Sequence, residues 1–371
     1  MSNESFVICP HNKCTGCGLC AYICKHNAIN LQIDKYGFKY PKINQNLCVK
    51  CGLCKKKCPS QSQVTSNYPI KAYACYNIND DERQESSSGG IGYLIAKHLI
   101  KSKGIVYGCA FTSPWRVQHI RCTSINEIKR LRGSKYVQSD ISYIYENIKQ
   151  DLNKSKEVLF IGTPCQIASI KAAFPKTKSL YLVDIICHGT PSLQFLKETL
   201  PQMQKPIQNI KFREGTSFCF SLETSDGIKF FTRKLNDDMY MKGFFNGTTF
   251  RPNCYTCQYA TRQRISDMTI GDFWGLKSKS IGNTINGISL ALINTEKGDI
   301  LFKHCENQMV TESRPLDEAF TGNEQLNHPF KRTFSTSIFR YLYPKVGYNK
   351  ALWCALPTKV LAMKLKHLLK K

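Results

Sequence analysis

The apolar positions of the chain follow several distinct rhythms. In "IGYLIAKHLIK", Leu94, Ile95, His98 and Leu99 fall on one side of a helix, the spacing of a segment packed against a core. "EVLFIGTPCQIASIKAAF" and "SLYLVDIICHGTPSLQFLKETL" each begin as a short continuous apolar run and pass through Gly-Thr-Pro into a helical pattern. Such runs predict buried strands followed by helices, an α/β layer with parallel strands. "KAYACYN" predicts a further strand, and "INLQIDKYGFKYPKI" a short hairpin turning near Tyr36-Gly37. Between them, "PSQSQVTSNYP" is polar and bounded by prolines, which marks a linker.

The longest apolar runs fall well short of the roughly 18 residues that cross a bilayer, and "MSNESFVICP" lacks a basic stretch leading into an apolar one. A cytoplasmic protein is expected. The C-terminal "PTKVLAMKLKHLLKK" sets Leu361, Leu365, Leu368 and Leu369 at helical spacing among Lys359, Lys364, Lys366, Lys370 and Lys371. A basic amphipathic helix of this kind either packs its leucines on the protein's own body or lies on the inner, anionic face of a membrane as a peripheral contact.

At 371 residues with 42% hydrophobic and 21% charged positions, the chain is long enough for two or three domains with substantial cores. The formal charge of +25 would ordinarily point to nucleic acid. No helix-turn-helix or RNA-binding aromatic pattern accompanies it, and the cations are spread along the chain, so no nucleic-acid partner is expected. Metal clusters and phosphates would offset about eight charges. What remains reads as a solvated surface, with docking of an acidic electron carrier as its functional use.

Nineteen cysteines, an odd number grouped at short gaps, do not form an extracellular disulfide framework and point to metal. "CTGCGLCAYIC" places Cys14, Cys17, Cys20 and Cys24 in C-x-x-C-x-x-C-x-x-x-C order, and "CVKCGLCKKKCP" repeats it with Cys48, Cys51, Cys54 and Cys58, every cysteine displaced by 34 residues. The duplicated unit resembles the bacterial two-cluster ferredoxin. The resemblance implies two 4Fe-4S clusters in a crossed arrangement, one held by Cys14, Cys17, Cys20 and Cys58, the other by Cys48, Cys51, Cys54 and Cys24. It departs from the pattern where Cys24 is followed by Lys25 and not by proline. A zinc site needs four thiolates per ion but does not account for the crossed spacing.

Further along, Cys165 lies past one strand at the start of a helix, Cys187 at the end of the next strand, and Cys254 and Cys257 form a C-x-x-C. Ligands collect at the carboxyl ends of strands in an α/β sheet, and helix N-termini favour thiolates. These four make a candidate third metal set, with nucleophile or packed thiol as the other readings of Cys165. In "DDERQESSSGGIGYL", the small residues Ser87, Ser88, Gly89 and Gly90 precede a helix and permit close approach of a phosphate. A flexible turn is the plainer reading. Cys9, Cys75, Cys109, Cys122, Cys219, Cys305 and Cys354 have no partner spacing and read as core or incidental thiols.

Through "SSGG", "GSKYVQSD", "GTPCQ", "ICHG", "CYTC" and "DMTIGDFWG", in that order, the chain resembles the beta subunits of coenzyme F-420 hydrogenases and related dehydrogenases. The resemblance implies an FAD-binding iron-sulfur oxidoreductase subunit. Cys165, Cys187, Cys254 and Cys257 would hold a third 4Fe-4S cluster, and Ser88, Gly89, Gly90 and Lys135 would line the FAD site, Lys135 neutralising phosphate or reduced-flavin charge. Electrons would run between ferredoxin or another acidic carrier and an organic acceptor, with a partner subunit and a role in cell-surface glycan synthesis among the implied settings. A non-enzymatic electron-transfer or redox-sensing subunit is the alternative, and no catalytic acid or base stands out. The expected fold is an α+β ferredoxin-like domain over 1–60, a linker over 61–70, an α/β flavin-binding domain over 71–205, an added α+β part over 206–330, and a basic helical tail over 331–371.

Overall fold

A computed structural model of the chain describes residues 6–62, 64–113, 116–200, 207, 209–224, 228–277, 281–282 and 285–368. Leu369, Lys370 and Lys371 of the tail pattern lie outside the described residues. The N-terminal module holds α1 (Leu19–Tyr22), the antiparallel hairpin β1 (Ile29–Ile33) and β2 (Lys39–Ile43), and α2 (Leu53–Lys56). The expected hairpin forms, with Gly37 at φ +83° in its turn, a conformation that costs a residue without Cβ little.

The body follows as β3 (Lys71–Asn77), α3 (Asp80–Gln84), α4 (Ile91–Lys101), β4 (Ile105–Ser113), β5 (Arg116–Cys122), α5 (Ile125–Lys129), α6 (Tyr145–Asn153), β6 (Val158–Gly162), α7 (Pro164–Ala173), β7 (Leu180–Ile185) and α8 (Leu193–Thr199). Next come β8 (Asn209–Glu214), β9 (Ser217–Glu223), β10 (Lys229–Lys234), α9 (Met239–Phe245), β11 (Met268–Asp272), β12 (Ser289–Ile293), α10 (Glu296–Lys303), β13 (Met309–Arg314) and α11 (Leu316–Gly322). The tail is α12 (Phe334–Ala355) and α13 (Pro357–Leu368).

One eight-stranded sheet in the order β13-β3-β12-β11-β7-β6-β4-β5 organises the body. β4, β6, β7 and β11 run parallel, as expected for β6 and β7, while the flanking pairs are antiparallel. Alternation along the strands sends Val106, Leu159 and Val183 to the face covered by α4, and Tyr107, Phe160 and Leu182 to the face covered by α6 and α7. Leu94, Ile95 and Leu99 of α4 are buried as their spacing predicts.

The expected boundary between 205 and 206 is corrected by this topology. β11, β12 and β13 return to the sheet begun by β3, and only β8, β9 and β10 form a separate three-stranded antiparallel sheet. The short apolar runs of β11 and β12 carry no sign of which earlier strands they join. The linker segment is tied down: the Asn67 backbone amide donates to Arg264 O at 2.8 Å, and Lys171 Nζ donates to Thr65 O at 2.9 Å.

The tail is helical, as predicted, and packs on the body. Pro344 and Gly347, at φ +75°, divide α12 into two helical pieces. Across that break the Tyr348 amide donates to Glu198 Oε2 at 3.2 Å and the Tyr343 hydroxyl to Glu198 Oε1 at 2.5 Å, so the broken ladder is satisfied by a side chain. In α13, Val360 and Met363 are buried in the same core, while Leu361 is exposed. Among the described residues no helix is long and apolar enough to cross a membrane.

Candidate redox centre

The N-terminal module is held against the body by polar contacts from both sides. Gln138 Nε2 donates to Thr15 O at 2.9 Å, Tyr145 OH to Cys17 O at 3.0 Å, and Tyr259 OH to Pro59 O at 3.1 Å. Lys39 pairs with Asp140 at 2.5 Å. Gly18, at φ +81°, has no room for a Cβ, which would lie 2.6 Å from Ser142 Cβ. Arg251, 1% exposed, donates from Nε to Cys14 O at 2.8 Å, from one terminal nitrogen to Lys39 O at 2.7 Å and from the other to Gln138 Oε1 at 3.2 Å, and lies over the Tyr40 ring.

The thiols of the module gather in two groups. Cys14, Cys17, Cys20 and Cys58 line one cavity of about 20 Å³, and Cys24, Cys48, Cys51 and Cys54 line another of about 270 Å³. The fourth cysteine of each half thus lines a cavity together with the other half's three. Positive φ at Gly16, Gly18 and Gly52 turns the loops around these cavities. Cys9, read from the sequence as incidental, lines the first cavity as a fifth thiol. Hydrogen bonding to Cys9, together with the nearby Arg251 charge, draws the Cys14 thiol down to about 6, and hydrogen bonding to Cys9 draws Cys58 down to about 7.

Cys165, Cys187, Cys254 and Cys257 also converge. Cys165 sits in the first turn of α7 behind the Thr163 cap, and Thr163 Oγ1 lies 3.3 Å from its sulfur. Cys187 lies two residues past the end of β7, in the loop before the helix that begins at Leu193. Cys254 lies within the 3-10 turn Pro252–Thr256 and Cys257 just past it, with Thr190 Oγ1 3.8 Å from the Cys254 sulfur. Burial, then the charge of Cys257, pushes the Cys165 thiol up to about 12; burial, then Cys254, pushes Cys257 up to about 11. Burial, then the charges of Cys254, Cys165 and Cys257, raises Cys187 well above the usual thiol range. Four thiols that raise one another in a buried site are stabilised as thiolates once a cationic metal core stands among them. Cys17 of the first group lines the same cavity as Cys165, and its charge is among those that raise the Cys165 thiol, so the first and third groups adjoin. Among the described residues no three or more His, Cys, Asp or Glu groups close on one point as for a single ion; the thiols stand around cavities.

Beyond the third group lies a cavity of about 630 Å³ at the carboxyl ends of β6 and β7, a position where α/β sheets gather ligands. Cys165, Cys187, Ser88, Gly90 and Lys135 line it. Three of its lining side chains carry buried polar atoms without a partner: Arg132 Nε, Arg213 Nε and His188 Nε2. Such atoms are costly unless a ligand meets them. Ser88 and Gly90 precede α4, whose N-terminus favours an anion. Polar donors and the aromatic rings of Phe218, Phe244, Phe245 and Trp274 line the same cavity, with Arg213 over Phe218 and His188 against Phe244, a mixture that suits a ligand carrying both a phosphate and a planar ring.

Two of the expected flavin residues are placed otherwise. Gly89 is absent from the cavity wall; a Cβ there would lie 2.4 Å from Cys75 O, so the glycine serves the passage of the loop over β3. Lys135 is on the wall, but its ammonium donates to Leu131 O at 2.9 Å and Arg132 O at 2.6 Å and to the carbonyls of Arg130 and Gly133. Its three protons are engaged in closing the end of α5, which corrects its expected availability to phosphate. Burial pushes it down to about 8. Arg132, which stacks on Tyr93 and pairs with Glu85, is the cation whose Nε remains open, and nothing in its spacing singled it out. Asp272 pairs with Arg213 at 2.6 Å, both on the cavity wall, and Asp267 accepts from the Leu182 backbone amide of β7 at 2.8 Å.

A cysteine-duplicated module joined to a mixed α/β sheet whose strand ends carry further thiols over a large cavity defines an iron-sulfur protein of oxidoreductase type. Residues 155–319 match the family described as the C terminus of the coenzyme F420 hydrogenase/dehydrogenase beta subunit, and residues 13–62 match the 4Fe-4S dicluster domain. Over these residues the chain is similar to that beta-subunit family, with a segment similar to an iron-sulfur module ahead of it. It is 20% identical over 238 residues to the F subunit of the F(420)H(2) dehydrogenase of Methanosarcina mazei, covering 59% of this chain and 66% of that protein, just under two thirds of its length. A chain of the F420-reducing [NiFe] hydrogenase complex from Methanosarcina barkeri aligns with a TM-score of 0.47 at 15% identity, over 70% of this chain and 91% of that one.

Proposed function

We propose that the chain is an iron-sulfur flavin oxidoreductase that passes electrons between an acidic one-electron carrier such as ferredoxin and an organic acceptor. In this reading Cys48, Cys51, Cys54 and Cys24 hold the outer 4Fe-4S cluster, Cys14, Cys17, Cys20 and Cys58 the inner one, and Cys165, Cys187, Cys254 and Cys257 a third beside FAD. When bound, FAD exchanges single electrons on the cluster side and electron pairs with the organic partner. The chain's own residues bind and enclose: the Ser88 to Gly90 turn and Arg132 receive the phosphates, Arg213 and His188 present donors, and Phe244 and Phe245 exclude water.

The observation that carries this reading is the nearness of Cys17 to Cys165 on one side and of Cys165 and Cys187 to the large cavity on the other. It sets candidate redox groups in sequence from the module to the pocket. The acceptor end is apolar and aromatic with the Arg213–Asp272 pair beside it, which suits a planar organic molecule. The names of the relatives, a subunit of an F(420)H(2) dehydrogenase and a chain of an F420-reducing hydrogenase complex, support a partner subunit for this chain. The test is anaerobic purification with iron, acid-labile sulfide and flavin measured per chain. About twelve irons and one retained flavin support the reading; about eight irons without flavin reduce the chain to an electron-transfer component and overturn it.

A further inference from the structure

The outer thiol group is the one that meets solvent: Cys51 is exposed, whereas Cys14 is buried and Cys17 and Cys20 are half-buried. The segment that carries it is rich in unpaired cations. Lys50, Lys55, Lys56 and Lys57 lie in the Cys48–Cys58 segment, which contains α2, Lys25 stands beside Cys24, and all five are exposed. None of the five takes part in an ion pair among the described residues. Across 6–62 there are nine lysines and no arginine against a single acid, Asp34. Over the whole chain the balance is 52 to 27, so the excess is concentrated where the outer thiols reach the surface. Among these charges stand exposed apolar side chains, Leu47 at 49% and Val49 at 58%. Isolated apolar spots ringed by one sign of charge suit a transient protein contact steered by electrostatics.

We propose that this face, centred on Cys51 and Val49, is the docking surface for a small, strongly acidic one-electron carrier protein. The inference rests on the cluster assignment made under the proposed function. Each encounter moves one electron between the carrier's centre and the outer cluster; one is oxidised as the other is reduced, and no bond is made or broken. The rest of the body has no part in the encounter, although it too is basic.

The experiment uses the full, reconstituted chain and stopped-flow reduction of its clusters by two donors: a reduced recombinant two-cluster ferredoxin of strongly negative net charge, and photoreduced 5-deazariboflavin, which is neutral. The variant Lys50→Glu/Lys55→Glu/Lys56→Glu is compared with Lys101→Glu/Lys154→Glu/Lys156→Glu, which reverses the same charge on exposed parts of the body. The face variant should lose about tenfold or more in second-order rate with the acidic protein donor at low salt, keep its rate with the neutral donor, and lose most of the wild type's salt dependence. Iron content and the cluster spectra should be unchanged. Equal losses in the two variants overturn the docking face in favour of bulk charge. Wild-type clusters that the neutral donor reduces and the acidic protein does not also overturn it, while leaving the clusters in place; absence of the outer cluster altogether is the separate failure of the assignment beneath it.

Discussion

Arg251 offers the sharpest test of how the module and the body form one redox unit. Its guanidinium is fully buried, yet its hydrogen-bond partners are two carbonyls and an amide oxygen, with no carboxylate among them. A buried cation without a counter-ion is expensive. The anionic groups at hand are sulfurs: Arg251 helps draw the Cys14 thiol down, after hydrogen bonding to Cys9, and it acts in the same direction on Cys254. An iron-sulfur cluster on the Cys14 group would supply the missing negative charge.

Replacing Arg251 with Met keeps the length and removes the charge. Three charge-assisted hydrogen bonds are lost and their acceptors stay buried, which should cost about 3–5 kcal/mol of stability, the bonds not being additive. One unit charge about 7 Å from a cluster, at an effective dielectric of about 20, contributes roughly 2 kcal/mol, or ~90 mV for a one-electron centre. The positive charge favours the reduced, more negative cluster, so its removal should lower the midpoint potential by about that amount. Arg251→Lys should hold the potential while losing part of the stability, because the ammonium keeps the charge but not the fork that reaches Cys14, Lys39 and Gln138 together. Redox titration of the reconstituted protein followed by paramagnetic resonance, with urea unfolding alongside, reads both quantities. A shift under about 20 mV in a fully loaded Met variant, or equal shifts in the Met and Lys variants, would refute the electrostatic account.

Cys165→Ser should lower iron by about four per chain while leaving the resonance signals of the N-terminal module intact; unchanged iron would show that Cys165 is not a ligand. Gly18→Ala should cost at least about 2 kcal/mol, since it needs both a strained φ and space occupied by Ser142, and a melting point within a degree of wild type would contradict that packing. Asp151 is buried, which alone would raise its carboxyl, yet bonds from Arg121 and Tyr107 hold it below the usual range. That stabilisation is present at neutral pH and lost as pH falls below the unfolded value near 3.9 and through the lowered folded one. Asp151→Asn should therefore be less stable at pH 7 by about 1–2 kcal/mol, Arg121 being partly solvated, with the gap closing toward pH 3; a gap that stays constant with pH would exclude the ionic contribution.

The local features of the fold were legible because they are written in short spacings. The cysteine quartets 34 residues apart and the resemblance they carry pointed to thiols gathered across the two halves, and apolar runs pointed to β6 and β7 with Cys165 and Cys187 just past their ends. What spacing does not encode is who meets whom across long separations. The return of β11, β12 and β13 to the sheet begun by β3 depends on edge pairing that any apolar strand can satisfy. Lys135 was expected at the phosphate through the family resemblance of "GSKYVQSD", but the turn before it brings four carbonyls within its reach, and a flexible ammonium goes to the nearest acceptors. Arg132, three residues earlier, is pinned flat on Tyr93 and cannot fold back, so its Nε is left facing the cavity. The contrast is one of shape and not of charge: a cation held by a ring keeps a donor for a ligand, whereas one at a helix end spends its protons on the helix.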